Sequence, residues 1–456
     1  MKEIFGKSVL LLGYGREGRS THTFLRARYP EMIVGVADKD QSLHIEGINE
    51  ARLHKGDNYL KSVFDYDVVV RSPGISPYLP EFRKAQREGK WITSATNIFF
   101  SECPGMIIGV TGTKGKSTTT SLIYEIVKKE YSDVRLVGNI GRPALDYLNG
   151  ADINTIFVSE LSSHQLEDIR YSPHVAVLLN IVPEHLDYYP SFEDYAKAKN
   201  QIVHYQGAND IVVFNPTHKI LIKILDKIKS QELRFSLNPS DNLFCWIDGK
   251  KIYTSIDGSS SQVMPLEEIP LLGKGNYENT LAAISTGLAL GVSRTSVREA
   301  VKGFKSLEHR LELVGKVKGI EFYNDSLATI PQATMHALEA LGPKVETLIA
   351  GGFDRGLEFG ELGSFLSKQK GLRNLILFPD TGSKIWDSLL HAGKSKRASF
   401  NKYEVKTMEE AVEIAFKVTN PGKACLMSPA SASFNLFKDY SERGDTFKKL
   451  VLSRML

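Results

Sequence analysis

The sequence has few cysteines, no long apolar run and no strong excess of either charge. Its three cysteines, Cys103, Cys245 and Cys425, are odd in number and far apart in 456 residues. That excludes a disulfide framework or a cysteine metal cluster and points to a reducing compartment. Lys plus Arg number 57 against 53 Asp plus Glu, a net charge of +4. So even a balance does not suit a protein that grips nucleic acid through a dense basic face, and fits a small anionic substrate better. Nothing approaches the ~20 apolar residues of a membrane span. The opening MKEIFGKSVLLLGYG has too short an apolar stretch, and no small-residue cleavage site, for a secretory signal. The expectation is a cytoplasmic protein with neither membrane nor nucleic-acid partner.

Internal repeats, low-complexity tracts and long linkers are missing too. What fills the chain is an alternation of short apolar runs with amphipathic helical stretches, such as Val9 to Leu12, Val68 to Val70, Ile107 to Val110 and Leu348 to Ala350. This reads as repeated α/β units from end to end. The length exceeds one ordinary core. New strand–loop–helix units begin after Ser101-Glu102-Cys103-Pro104-Gly105 and near Ser306-Leu307-Glu308-His309-Arg310, giving expected domains at 1–103, 104–308 and 309–456.

Two glycine loops carry chemistry. Gly13-Tyr14-Gly15-Arg16-Glu17-Gly18 follows the run Ser8 to Leu12 and opens a helical stretch, and Asp38 ends the next run, Ile33 to Ala37. In this dinucleotide-fold context the glycines let backbone approach a pyrophosphate and the acid accepts from a ribose or base. The plainer reading is a tight turn that needs glycine for packing. Gly74, in Ser72-Pro73-Gly74-Ile75-Ser76-Pro77, can approach the same ligand, although alone the segment is only a turn.

The second loop is the strongest signal. Ile107 to Val110 runs into Thr111-Gly112-Thr113-Lys114-Gly115-Lys116-Ser117-Thr118 and then a helix with Leu122, Ile123, Ile126 and Val127 on its apolar side. Backbone N–H groups there bind phosphate oxygens, Lys116 supplies charge to the β- and γ-phosphates, and the Ser117 hydroxyl can ligate Mg²⁺. The spacing departs from G-x-x-x-x-G-K-S, because position 110 is Val. Glu160 closes the run Thr155 to Val158 and so falls at the same sheet edge, where a magnesium ligand belongs.

Thr-Gly-Thr-x-Gly-Lys-Ser resembles the phosphate loop of Mur ligases and folylpolyglutamate synthases. Further blocks follow in the family's order: Gly138 to Gly141, Ser159 to Ser163, Glu184 to Asp187, Tyr195 to Lys199, Asn276 to Asn279, His309 to Glu312, Asn324 to Ser326 and Ser428 to Phe434. The resemblance to Mur ligases thus covers nearly the whole chain. It implies an α/β protein of three domains: a Rossmann-like one for the UDP-linked substrate, a central P-loop one on a parallel sheet, and a second Rossmann-like one for the incoming amino acid.

The implied activity is ATP- and Mg²⁺-dependent ligation of glutamate to UDP-N-acetylmuramoyl-L-alanine for peptidoglycan, through an acyl phosphate, by a monomer whose domains move. The resemblance assigns Gly112, Thr113, Lys114, Gly115, Lys116, Ser117, Thr118, Asn276, Asn279, His309, Arg310 and Asp325 to ATP. Gly13, Gly15, Arg16, Glu17, Gly18, Asp38, Gly74 and Asn139 fall to the UDP substrate. Ser117, Glu160, His185 and Lys199, the last as a carbamate, would hold two Mg²⁺ ions. Lys116, His185, Lys199 and Arg310 form the catalytic set. From the residues alone, Lys199 is a charge on a helix flank, and Asn276 and Asn279 share one helical face where capping is the plainer role.

One departure bears on the acceptor. The glutamate-adding pattern Asp-Ser-Lys-Ala-Thr is here Asp325-Ser326-Leu327-Ala328-Thr329, so a cation is missing. Arg355 can bind a carboxylate bidentately, and Thr329, Ser433, Phe434 and Tyr440 complete the expected pocket. D-glutamate is the expected acceptor because that is the usual activity of the family's glutamate-adding members; a branch adding L-glutamate is the alternative. A folate-extending or other Mur ligase, a nicotinamide oxidoreductase suggested by Gly13 to Gly18, and a P-loop switch are more distant readings. The oxidoreductase leaves the second loop unexplained, and no guanine-reading Asn-Lys-x-Asp supports the switch.

Overall fold

A computed structural model describes residues 4, 6–185, 188–256, 258–392 and 400–455. The chain forms two compact units, one of Met1–Ile269 with Glu278–Phe304, the other of Pro270–Tyr277 with Lys305–Leu456. The first unit holds two sheets and the second holds one.

The first sheet comprises β1 (Val9–Leu12), β2 (Val34–Asp38), β3 (Leu53–Lys55), β4 (Val68–Arg71) and β5 (Trp91–Ser94) in the order β3-β2-β1-β4-β5. All neighbours are parallel. The strands of β1 and β4 are buried on both faces, which is why they read as unbroken apolar runs. Strand order reverses between β1 and β4, so the crevice at the carboxyl ends of these two strands is the natural ligand position. Both glycine loops of this region leave from those ends.

The second sheet comprises β6 (Met106–Thr111), β7 (Val134–Gly138), β8 (Ile156–Glu160), β9 (Val175–Leu178), β10 (Ile211–Phe214), β11 (Gln231–Ser236), β12 (Cys245–Asp248), β13 (Lys251–Ile256) and β14 (Ser259–Pro265), ordered β14-β13-β12-β11-β10-β9-β6-β8-β7. From β12 to β7 it is parallel, and β13 and β14 extend it in antiparallel pairing from β12. This corrects the expectation of α/β units throughout: from 231 to 265 four strands follow one another with no helix between them. Alternating burial along β13 shows one face left to solvent, as antiparallel strands allow.

In the second unit β15 (Glu312–Val317), β16 (Ile320–Asn324), β17 (Val345–Gly352), β18 (Asn374–Asp380), β19 (Asn401–Glu404) and β20 (Ala424–Met427) are ordered β15-β16-β20-β17-β18-β19. Only β15 is antiparallel to its neighbour. Order reverses between β20 and β17. The three free cysteines are confirmed as unbridged, with Cys245 and Cys425 buried in strands. No helix among the described residues is long and apolar enough to cross a membrane.

Candidate active site

The phosphate loop leaves β6 at Thr111. Gly112 and Gly115 take positive φ, 154° and 88°, and at Gly115 a Cβ would lie 2.1 Å from Asn279 Oδ1. Only glycine fits there. The helix Lys116–Val127 then begins, with Ser117 and Thr118 buried in its first turn. Its N-terminal N–H groups and dipole favour an anion. Lys116 Nζ folds back over the loop, donating to the carbonyls of Gly112 (3.0 Å) and Thr113 (3.1 Å). Thr113 N donates to Asn180 O (2.6 Å) and Lys114 N to Asn180 Oδ1 (2.9 Å). Lys114 pairs with Glu184.

Neighbouring strands complete the constellation. Glu160, the last residue of β8, is 2% exposed. Its Oε1 accepts from Asn139 Nδ2 at 2.9 Å, while its buried Oε2 has no partner among the described residues. An orphaned carboxylate oxygen at this sheet edge is what a hard cation would satisfy. Lys199, on the helix Phe192–His204, is 1% exposed and donates to Gly112 O at 2.9 Å. Burial first, and then the charge of Lys116, hold its ammonium pKa well below the ordinary lysine value.

Tyr195 ties these groups together. Its hydroxyl lies 3.0 Å from Thr113 Oγ1, its ring centroid 4.9 Å from Lys199 Nζ, and its ring 6.2 Å from that of His185. Beyond Leu178, where β9 ends, Asn180 bonds to the phosphate loop, and His185 follows further along the same segment. It sits in a loop at φ 57°, edge-on to His164 at 5.1 Å. Leu186 and Asp187, which complete the Glu-His-Leu-Asp block, lie outside the described residues. Among the described residues no group of three or more His, Cys, Asp or Glu side chains could hold a metal.

At the first sheet, Gly13 has φ 90°, and a Cβ there would meet Ser72 Oγ at 2.7 Å. Gly18 packs so close that a Cβ would reach Gly13 O at 2.1 Å. Gly15 and Gly74 face open space instead, so no close approach within the chain requires them. Asp38 accepts from Tyr14 N at 2.7 Å and thereby anchors the loop. Arg16 donates to Gly141 O, and Glu17 Oε1 accepts from Gln165 Nε2 at 2.7 Å. Burial raises the pKa of Glu17, with the Gln165 hydrogen bond opposing. Glu17 and Gln165 line a cavity together with Ser20, Thr96 and Ser159.

In the second unit, Asn276 Nδ2 donates to Leu272 O at 2.8 Å. His309 is buried at φ 63°, 3.0 Å from Asn324 Nδ2 and 3.2 Å from Ser441 Oγ. Asp325 accepts from Leu311 N (3.0 Å) and Ser428 Oγ (2.8 Å), and burial pushes its pKa up to about 7 against the lowering effects of these bonds and of Arg310. Arg310 itself is half-buried. Gly351 N donates to Pro429 O and Phe353 N to Ala432 O, which draws the loops after β17 and β20 together at the switch point. The rings of Phe353 and Phe434 meet edge-on at 6.1 Å; Ser433 is buried, Arg355 exposed and Thr329 half-buried. Tyr440 opens the helix Tyr440–Leu452, and its carbonyl accepts from Ser326 Oγ at 2.7 Å.

Sequence reasoning misses Asn180, Tyr195 and Gln165. A polar residue just beyond a buried apolar strand is a signal that could have flagged Asn180; Gln165 shows none, because its partner is 148 residues away.

A model of the Mur ligase middle domain matches residues 110–287. The chain is 34% identical to UDP-N-acetylmuramoylalanine–D-glutamate ligase of Koribacter versatilis, over 98% of both chains. It is 35% identical to the protein of that name in Acetivibrio thermocellus, over 99% of this chain and 97% of the other. The chain belongs to the Mur ligase family. Within that family, the relatives it matches end to end carry the name of the D-glutamate-adding enzyme. Solved structures agree on the fold. The UDP-N-acetylmuramate–alanine ligase of Thermotoga maritima superposes with TM-score 0.59 at 17% identity, covering 98% of this chain and 99% of that one. The MurF ligase of the same organism, in complex with ADP, gives 0.59 at 17% identity over 98% and 94%.

Proposed function

We propose that the chain joins D-glutamate to UDP-N-acetylmuramoyl-L-alanine at the expense of ATP, in the making of peptidoglycan precursors. The observation that carries this reading is the meeting of Lys116, Lys199 and the Glu160 edge at one glycine loop, in a chain similar over its whole length to enzymes named for this reaction. A carboxylate and an ammonium ion do not condense at useful rates, so the acid must first gain a leaving group. An oxygen of the L-alanyl carboxylate attacks the γ-phosphorus, ADP departs, and the free amine of glutamate then attacks the acyl carbon and expels phosphate.

The chain's own groups divide this work. Loop N–H groups and Lys116 bind and orient the triphosphate, and Asn139 steadies Glu160. Mg²⁺, when bound, neutralises phosphate charge; Ser117 and Glu160 would hold it, with His185 and the carbamate of Lys199 at a second ion. The neutral amine is the form that reacts with CO₂, and burial shifts Lys199 in that direction, which supports the modification. The roles of Asn276, His309, Arg310 and Asp325 toward nucleotide rest on the family resemblance. The residue ranges 1–103, 104–308 and 309–456 are proposed as the UDP-substrate, ATP and amino-acid domains, the outer two Rossmann-like, in a monomeric cytoplasmic enzyme.

One observation favours a second reading. Leu327 puts an apolar side chain where a D-glutamate pocket commonly has a lysine, so L-glutamate is the rival acceptor. Phosphate release from ATP, Mg²⁺ and UDP-N-acetylmuramoyl-L-alanine with each enantiomer in parallel decides. Release that depends on D-glutamate is expected, dependence on L-glutamate alone reverses the handedness, and no release with either rejects the ligase.

A further inference from the structure

The last helix carries a cation with no anion to match it. Arg443 is 1% exposed. Its Nε donates to Ser326 Oγ at 3.0 Å, Nη2 to Ser326 O at 2.8 Å, and Nη1 to Ser431 O at 3.1 Å and Ala432 O at 3.2 Å. All these acceptors are neutral, and among the described residues no carboxylate pairs with it. The contrast is Arg71, equally buried but held 2.9 Å from Asp168. Burial alone lowers the Arg443 pKa, to about 10, so the group stays charged at neutral pH. Burying an unpaired charge is costly, and clasping four neutral acceptors does not require one.

The position of the group suggests what the charge is for. Its nitrogens bind the loops that leave β16 and β20, and a Cβ on Gly352, at the end of β17, would lie 3.3 Å from Nη1. The guanidinium therefore lies under the crevice where strand order reverses, beneath the loops that carry Thr329, Arg355, Ser433 and Phe434. In a low-dielectric surround its field reaches the crevice with little screening.

We infer that Arg443 is a positioning residue whose buried charge supplies the positive potential that selects an acidic amino acid, the acceptor's carboxylates providing the missing counter-charge. This deepens the ligase reading and rests on it. Arg443 acts through its field and through the loops it holds, without touching the substrate.

Steady-state kinetics of the full chain test this with Arg443→Gln and Arg443→Lys, each checked by circular dichroism and with glutamate and glutamine as rival acceptors. The Gln variant is expected to raise KM for glutamate by about tenfold and to erase the preference for glutamate over glutamine, with KM for ATP little changed. The Lys variant keeps the charge with fewer hydrogen bonds and is expected to keep the preference. Equal losses for both acceptors, or an unchanged glutamate KM in a folded Gln variant, overturn the inference. Should the Gln variant not fold, the Lys variant decides, since loss of the acidic preference in it shows that geometry matters and charge does not. Wild-type protein inert toward glutamate overturns the ligase reading, and this inference with it; an active wild type confines any failure to Arg443.

Discussion

Lys116 and Lys199 donate to the same carbonyl oxygen, that of Gly112, at 3.0 and 2.9 Å. Two ammonium ions so placed repel each other, and the repulsion falls on the one that burial has already weakened, Lys199. The pair is therefore unequal, with Lys199 the amine whose pKa is held down.

Lys116→Ala removes the charged partner. Turnover measured as phosphate release is expected to fall by roughly 10²–10³, the scale of losing a main donor to developing charge, while the circular dichroism spectrum stays native. Near-normal turnover would reject the phosphate role.

Lys199→Ala is expected to be impaired on a similar scale and to recover part of its activity with added short carboxylates, which can occupy the space of a carbamate. A fully active alanine variant would show that the buried amine serves packing alone.

Gly115→Ala forces a methyl group to within 2.1 Å of Asn279 Oδ1 at a backbone φ of 88°. Strain of this kind costs about 1–3 kcal/mol. The melting temperature should drop and the affinity for ATP should weaken; an unshifted melting curve would mean the loop is laxer than its contacts indicate.

Asp325 makes stability depend on pH. Its native pKa is raised to about 7 against about 3.9 in an unfolded chain, so between these values the native state keeps a proton that the unfolded state has released. Its contribution to stability is therefore lost as pH rises through that window and levels off above it. Asp325→Asn should gain stability relative to wild type between pH 4 and pH 7, read from denaturant midpoints. A difference that does not vary with pH would contradict the burial.

What the sequence reveals is what lies close together along it. The run Ile107 to Val110 with Gly-Lys-Ser after it predicts strand, loop and helix, and Glu160 at the end of its strand is placed correctly, because strand ends of a parallel sheet share one edge. Local pattern reads less well where tertiary contacts take over. Asn180, just past the end of β9, bonds to Lys114 across 66 residues of sequence, a contact with no local trace. Residues 231–265 form four successive strands without an intervening helix, the last three paired antiparallel, which the apolar pattern does not separate from α/β units. Arg71 with Asp168 and Arg443 with Ser326, 97 and 117 residues apart, leave no local trace.

In the second unit the crevice at the β20–β17 reversal is built from segments that hang off strand ends, while the strands behind them are buried throughout. Within those segments the exposed side chains of Phe353, Arg355 and Phe434 can consequently diverge while buried Ser326, Ser428 and Ser431 keep the framework, so exchanging these few tips, and leaving the strands of the open sheet alone, is the economical route to an enzyme that couples a different building block.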